Sequence, residues 1–317
     1  MGKGTMILRR KLGEIAYAAN SEKNLEIKVK PNLIKRLNLR LTLTNTVAGA
    51  GGNAVQDNPL SLIENIRIEA PGRTFKNFDP RMMHFINHLE LGAIPKIIGQ
   101  LSGAVADGTY AQEVNMMIPF ESIRSLLPET TVLNSNSHSS ITVIVKWKDD
   151  NDIVDANNTL SLVNIEVMSY EREPKSSEDQ TLKRPELLDS QLIQTVAAVN
   201  TALQVDLIED TKIKSILLMA IKAGVRDDGL INNVRVIGDN DGRVLRNLPF
   251  AEIQSQNKED FGIETLQTGI ALIEFDPDGD LAELLDTIDL NNPKLEFDVD
   301  APSGVTQIYV LQRQLIG

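Results

Sequence analysis

A segment in the first half of the sequence recurs in the second half, and this repeat limits the possible folds more than any other feature. Residues 63–68 (Ile-Glu-Asn-Ile-Arg-Ile) align with residues 231–236 (Ile-Asn-Asn-Val-Arg-Val) at an offset of 168. After a two-residue insertion, residues 72–78 (Gly-Arg-Thr-Phe-Lys-Asn-Phe) align with residues 242–248 (Gly-Arg-Val-Leu-Arg-Asn-Leu) at an offset of 170. Six of the thirteen aligned pairs are identical and five more are conservative. A period near 170 is far too long for a solenoid or a propeller, so the repeat predicts one unit that was duplicated and fused.

Apolar and polar residues alternate along most of the apolar runs of both halves. Examples are residues 25–29, 37–43, 66–68, 141–147 and 160–167. Side chains two positions apart lie on one face of a strand, so these runs predict half-buried antiparallel strands. Turn residues separate about eight such short strands in each half. The sequence therefore predicts an all-β fold with a few short helices, built as two tandem eight-stranded jelly rolls.

Helical spacing occurs in only a few places. Each copy of the repeat leads into a helix, predicted over residues 80–90 and 249–257, and the first of these has an Asp-Pro start signal. Two shorter helices are predicted over residues 120–127 and 280–285, the former stopped by a proline.

A polar run that contains a proline and no large apolar residue, residues 171–180, indicates a linker between two domains. We predict an N-terminal basic arm over residues 1–23, a first jelly roll over 24–174, a linker over 175–190 and a second jelly roll over 191–317. Residues 1–174 carry 19 acidic and 19 basic side chains, whereas residues 175–317 carry 25 acidic and 13 basic ones. The whole net charge of −12 thus lies in the second half, either as a solvated acidic surface or because the two halves face different neighbours.

This net negative charge argues against a general electrostatic attraction to nucleic acid, and we expect no sequence-specific nucleic-acid binding. No stretch approaches the roughly 20 apolar residues of a membrane-spanning helix, so we expect a soluble protein.

The sequence offers little material for a catalytic or metal centre. It has no cysteine and three histidines, which excludes disulfides, thiolate metal sites and cysteine nucleophiles and argues against a histidine-rich metal centre. His84 and His88 stand four residues apart, but Phe85 occupies the position at which a zinc protease carries its catalytic glutamate. We interpret both as structural or interface histidines and predict no catalytic residue and no cofactor.

Asp276, Asp278 and Asp280 are weak calcium candidates, because carboxylate oxygens are the ligands that calcium prefers. The spacing of an EF-hand loop is absent, and a plain acidic turn that caps a helix is the competing interpretation. We therefore predict no metal site.

The sequence resembles the double jelly-roll major capsid proteins of tailless icosahedral viruses, the lineage that includes adenovirus hexon and the internal-membrane phages. The resemblance depends on the tandem pair of units, on residues 63–78 with their twin at 231–248, on the helix after each twin, and on residues 126–133 before a strand that ends in tryptophan. It extends over residues 24–316. The compact size, without long inserted loops, is similar to the smaller phage members.

The resemblance implies a structural protein of the virion, assembled in the host cytoplasm, and no enzyme. Three copies would form a pseudo-hexagonal capsomer that contacts neighbouring capsomers, minor capsid or vertex proteins and, where one is present, an internal lipid membrane. Two other functions remain open. A glycan-processing enzyme of two jelly rolls would need paired carboxylates in an aromatic-lined cleft, but aromatic residues are scarce at 4%. A lectin-like or spike module is the third interpretation.

Three groups of residues are candidates for assembly contacts. The basic residues of the arm, Lys3, Arg9, Arg10 and Lys11, could meet an anionic lipid surface or a neighbouring subunit, each contributing about 1 kcal/mol at such a surface. The repeat places further basic residues in both halves. These interface candidates are Arg67, Arg73, Arg235, Arg243 and Arg246. Residues 48–59 and 102–109 are polar, glycine-containing inserts, which we predict to be tip or interface loops.

Overall fold

The computed structural model describes residues 7–48, 52–92, 95–154, 158–238, 242–281 and 283–317. The strands of the first half are β1 (Ile7–Ala16), β2 (Glu22–Ile27), β3 (Leu33–Val47), β4 (Gly52–Ala54), β5 (Ile63–Ala70), β6 (Arg73–Phe78), β7 (Ile97–Ile98), β8 (Gly103–Val105), β9 (Gly108–Pro119), β10 (Leu133–Asn134), β11 (Ile141–Trp147) and β12 (Asn158–Arg172). Those of the second half are β13 (Glu186–Thr195), β14 (Asn200–Asp206), β15 (Lys212–Lys222), β16 (Val225–Arg226), β17 (Ile231–Ile237), β18 (Val244–Pro249), β19 (Ile270–Glu274), β20 (Leu285–Asp286), β21 (Lys294–Val299) and β22 (Gln307–Ile316). The α-helices are α1 (Pro80–Leu91), α2 (Ser177–Thr181) and α3 (Phe250–Phe261).

Eight principal strands in each half have the same order in two packed sheets. In the first half the order β1-β12-β3-β9 faces β2-β11-β5-β6, and in the second half β13-β22-β15-β19 faces β14-β21-β17-β18. Each of the eight principal strands of the first half therefore has a counterpart at the same place in the chain and in the sheet. This arrangement is a jelly roll repeated twice, and it confirms the predicted fold class.

The repeated segment forms the same hairpin in both units. Its strands pair in the same register, since Ile66 lies opposite Phe78 and Val234 lies opposite Leu248. An asparagine-to-asparagine hydrogen bond also recurs. The side-chain amide of Asn65 donates to Asn77 at 2.9 Å, and the amide of Asn233 donates to Asn247 at 2.5 Å. The two hairpins thus share their strand register and one side-chain hydrogen bond.

The helices that follow the hairpins agree as closely. α1 and α3 are each 12 residues long and start 170 residues apart. Each ends at a glycine, Gly92 or Gly262, whose φ of 68° or 63° is the left-handed conformation that closes a helix. Both helices extend beyond their predicted ends.

The two units are packed against each other over a sheet that is buried on both faces. Residues 213–221 of β15 are buried without alternation, and Leu217, Met219 and Ile221 belong to the core of the first unit. Their neighbours Ile216, Leu218 and Ala220 face the core of the second unit. This explains why β15 is almost continuously apolar whereas β3 alternates. Helix α1 also contacts both units, since it touches β5 and β9 on one side and β15 and α3 on the other.

A single parallel pairing of two strands joins the units into one ten-stranded sheet. β13, the first strand of the second unit, runs beside β6 of the first, with Asp189 opposite Lys76 and Ser190 opposite Asn77.

The strands extend both units beyond the predicted boundaries. Residues 7–16, assigned to the arm, form β1 and pair with β12, and residues 186–190, assigned to the linker, begin β13. Within the predicted linker, α2 covers Ser177–Thr181.

Two predicted helices are wrong. Residues 120–127 form bends and a turn, and within residues 280–285 the described ones form a turn and a bend that lead into β20. The predicted tip loops contain β4 and β8, which pair with each other as a two-stranded ribbon. Residues 49–51 of the first loop lie outside the described residues.

Candidate functional site

The joint between the units contains a set of buried charged side chains, which we call the joint cluster. Its members are Lys76, Glu90, Asp189, Lys214, Glu274, Asp276 and Arg313. The first two belong to the first unit and the other five to the second.

At the centre of the cluster, Asp189 binds one cation from each unit. Its carboxylate lies 2.7 Å from the Lys76 ammonium, and both side chains are fully buried. Its other oxygen accepts a hydrogen bond of 3.1 Å from Nε of Arg313. Burial lowers the pKa of Lys76 and the adjacent Asp189 raises it, with burial the larger effect. The guanidinium of Arg313 reaches on to Glu90 of α1.

The second part of the cluster lies on the neighbouring strands. The Lys214 ammonium on β15 is 2.9 Å from a carboxylate oxygen of Asp276 and 3.8 Å from one of Glu274. Burial raises the pKa of Glu274 to about 7, against the opposing effect of Lys214 and Arg313. Glu274 and Arg313 both lie opposite Ser215, so they flank β15 on either side.

A second polar contact joins the units beside α1. Arg226 of β16 lies 2.9 Å from Asp57, and its guanidinium lies over the ring of Phe85. Burial raises the pKa of Asp57. His84 of α1 is 3% exposed, and burial, with the charges of His88 and Arg226, lowers its pKa to about 4.

The three weak calcium candidates, Asp276, Asp278 and Asp280, have different environments in the structure. Asp276 is buried against Lys214, whereas the Asp278 carboxylate accepts from the backbone N–H of Asp280 within the turn. Among the residues that the structure describes, no group of three or more His, Cys, Asp or Glu side chains is arranged to hold a metal ion.

The basic residues of the predicted arm are held within the first unit. Arg10 lies 2.7 Å from the buried Glu171, Arg9 lies over the ring of Tyr170, and Lys11 lies 3.1 Å from Glu166. Lys3 lies outside the described residues. From Ile7 onward the segment is therefore an edge strand and not a free arm.

The repeat arginines occupy different environments. Arg67 and Arg235 are matched residues of β5 and β17, and each pairs with a glutamate. Arg67 reaches Glu22 of β2 across the intervening β11, whereas Arg235 pairs with Glu296 of the adjacent strand β21. Arg73 lies 3.0 Å from Glu186 and so bridges the two units.

The other two repeat arginines lie in or just before β18, the second hairpin strand of the second unit. Arg246 donates to the backbone carbonyl of Glu274 at 2.9 Å, beside the joint cluster. Arg243 is exposed before β18. A role of these arginines at an interface between copies stays a prediction.

An apolar groove lies between residues 126–130 and the inter-unit residues 182–185. It has a volume of about 460 Å³ and is lined in part by Leu126, Leu127 and Leu182, which are 75%, 68% and 57% exposed. Two further pockets share linker residues with it and extend toward Gly317. Exposed apolar surface of this kind is typical of contacts with other molecules.

Sequence reasoning found neither the joint cluster nor this groove. Lys76 belongs to the repeated segment but was not singled out, because nothing local distinguishes a lysine that meets an aspartate 113 residues away.

None of the helices in the described part of the chain has the length and the apolar character that a membrane span requires.

Several solved structures of capsid proteins are similar to this chain. One is the MCP, or major capsid protein, of STIV, the Sulfolobus Turreted Icosahedral Virus, with a TM-score of 0.77, 12% identity and coverage of 98% of this chain and 97% of that one. It is also similar to the major capsid protein P2 from bacteriophage PM2, with a TM-score of 0.66, 13% identity and 98% coverage of both chains. The PBCV-1 virus capsid matches with a TM-score of 0.64, 10% identity and coverage of 98% and 94%.

No family model matches the chain, and no curated protein matches it in sequence. At identities of 10–13% the similarity shows the fold alone, which is the double jelly roll of these major capsid proteins. The predicted resemblance is confirmed at this level.

Proposed function

We propose that the protein is a major capsid protein that forms the shell of an icosahedral virion and acts by assembly, without catalysis. The observation that carries the proposal is the extent of the structural match. Two jelly rolls with one strand order account for 98% of this chain and for 97–98% of two capsid proteins. The similarity therefore extends over both jelly rolls and not over one of them alone.

A trimer is the assembly that best fits two similar units in one chain. Three copies would place six similar lobes around a three-fold axis, which gives a nearly hexagonal outline that tiles a surface. The charge of the halves fits the same arrangement. With the net charge of −12 in residues 175–317 and none in residues 1–174, alternating units keep the acidic ones apart.

The exposed leucines of the groove also support assembly. Leu126, Leu127 and Leu182 lie together at the linker end, where neighbouring capsomers or minor capsid proteins would cover them. We place assembly in the host cytoplasm and include an internal membrane among the partners of this end. The boundaries we propose for the units are residues 7–172 and 186–316, which start and end with paired strands.

Light scattering after size-exclusion chromatography tests the proposal. We expect a stable species of about three times 35.0 kDa at micromolar concentration. Salt titration serves as a control, since an interface with a packed apolar core persists at 1 M NaCl whereas a purely electrostatic contact does not. A monomer at every concentration and salt would contradict the proposal and would favour the enzyme or lectin alternatives.

The predicted arm has its own test. Deleting residues 2–6 removes Lys3 and leaves β1 intact, so the trimer should persist. Impaired particle or membrane assembly with a normal trimer would support a role for this segment. Normal particles from the shortened chain would overturn it.

A further inference from the structure

The joint cluster contains more negative than positive charge. Lys76, Lys214 and Arg313 are its three cations, and four carboxylates face them. All seven side chains are at most 9% exposed. Fully ionised, the cluster would hold one uncompensated negative charge away from water, which is strongly unfavourable.

The excess charge falls on Glu274. Asp189 has two cations in contact, Asp276 has Lys214 at 2.9 Å, and Glu90 pairs with Arg313. The nearest cation to Glu274 is Lys214 at 3.8 Å, beyond hydrogen-bond distance. Its oxygen Oε1 is buried without a hydrogen-bond donor among the described residues.

The remaining neighbours of Glu274 do not cancel this charge. Arg246 of β18 donates to the backbone carbonyl of Glu274, and its positive charge interacts with the carboxylates of both Glu274 and Asp260 of α3, so that this cation brings one further carboxylate with it and leaves the excess negative charge unchanged. From the other elements packed around Glu274, the charged groups that face it are the members of the joint cluster.

We propose that the joint cluster holds one proton on Glu274 at mildly acidic pH, and that release of this proton around neutral pH weakens the contact between the two jelly rolls. The contact between the units should weaken because the cluster includes residues of both units. Lys76 and Glu90 belong to the first unit, and Asp189 stands on the strand pairing that joins the units, so an unbalanced charge acts across the joint. The inference concerns contacts within one chain and stands whether or not the chain forms a shell.

The direction of the effect follows from the two states of the chain. The pKa of Glu274 is about 7 in the folded protein and about 4.5 for an ordinary glutamate. The folded state thus binds the proton more tightly, so the stabilisation is complete below pH 4.5 and is lost as the pH rises to 7. Over this range the unfolding constant rises by up to about tenfold per pH unit relative to a chain with a neutral residue there.

Glu274→Gln in the full chain is the decisive variant, because glutamine mimics the protonated acid and cannot lose the proton. Urea unfolding of the unmodified chain and of E274Q is compared at half-unit steps from pH 4.5 to 8.5. Glu264→Gln, an exposed glutamate of the same unit, is the matched control. We expect the unfolding constant of the unmodified chain, divided by that of E274Q, to rise by at least 30-fold from pH 4.5 to 7.5. The unfolding constant of the unmodified chain divided by that of E264Q should not change with pH. A ratio for E274Q that is independent of pH would overturn the proposal.

Hydrogen exchange at one fixed pH locates the effect. At pH 8, peptides that cover β6 and β13 should exchange faster in the unmodified chain than in E274Q, while peptides of β14 and β21 should not differ. Equal exchange at β6 and β13 would overturn the claim about the joint.

Infrared spectroscopy gives a measurement that does not depend on the variant being folded. The unmodified chain should show a carboxylic acid band at pH 6, where ordinary acidic side chains are ionised, and lose it by pH 8.5. Absence of the band at pH 6 would overturn the proposal.

Discussion

Replacing Asp189 by asparagine should destabilise the protein more than most single substitutions, because it removes the anion that two buried cations share and leaves Lys76 without a carboxylate partner. Asp189 lies 2.7 Å from Lys76 and 3.1 Å from Arg313, and all three side chains are at most 2% exposed. Asparagine has nearly the same shape, so the change removes charge and little volume.

The expected loss is about 3–5 kcal/mol, the range for removing one partner of a buried ion pair. With an unfolding entropy of about 2.1 cal/mol/K per residue, this corresponds to a fall in Tm of about 4–8 °C if the whole chain unfolds together. The glutamate at position 90 keeps Arg313 paired, so Lys76 is the cation most affected.

Circular dichroism follows both units, and the fluorescence of Trp147, buried in the first unit, follows that unit alone. The matched control is Asp206→Asn on β14, whose side chain is 80% exposed and should cost less than about 0.5 kcal/mol. Lys76→Met combined with D189N should cost less than the sum of the two single changes, because each removes the same pair. A loss below 1 kcal/mol for D189N, or strict additivity in the double variant, would refute the assigned role of the cluster.

Three further predictions concern other contacts. Gly279→Ala should lower the free energy of unfolding by about 2–4 kcal/mol, because φ is +83° and a Cβ would lie 2.3 Å from the carbonyl oxygen of Arg124. The control is Gly242→Ala, which has a φ of +81° and no neighbour within 4 Å and should cost only about 1–2 kcal/mol. Equal losses in urea unfolding would contradict the contact with Arg124. Asn257→Ala should cost about 2–4 kcal/mol, because its amide satisfies a backbone N–H and a C=O of β19 at 2.7 Å each; a loss below 1 kcal/mol would contradict this role. The pKa of His84 is lowered to about 4, so this residue costs stability as the pH falls from 6.5 to 4, opposite in sign to the effect of Glu274. The stability of the unmodified chain relative to His84→Gln in urea unfolding should therefore fall over this range; a relative stability that is independent of pH would count against the burial of a neutral histidine.

The interior strands were predictable because each has one face in a core. β11 alternates between buried and half-exposed or exposed residues along its whole length, and the same period marks β3. The repeat predicted that there are two similar units, because the same hairpin and the same following helix could be recognised in both halves of the sequence. These signals are local, or they compare two local segments.

The first strand of each unit was missed for two different physical reasons. β1 is an edge strand in which only Ile15 is buried, so its sequence has the charged, exposed character of a solvated arm. The residue that holds it in the sheet, Glu171 beside Arg10, is distant in the sequence. β13 begins with Leu187, Leu188 and Asp189 buried in succession, so both faces of the strand are covered there and the alternation is lost. In both strands the decisive partner lies more than 100 residues away in the chain.

The wrong helix at residues 120–127 shows how spacing alone can mislead. Its apolar residues recur at helical intervals, but Phe120 is buried while Leu126 and Leu127 are exposed. The backbone N–H of Leu126 donates to the carbonyl of Gly279 in the other unit, so a tertiary contact replaces the helical bond.

We propose that two copies of one jelly roll in a single chain build a closed surface by contact between chains. Electron microscopy of the purified oligomer is the test of this proposal. We expect projections with three-fold symmetry and six lobes of similar size, which pack edge to edge at high concentration. A single pair of lobes at every concentration, or a ring whose lobe number is not six, would contradict it.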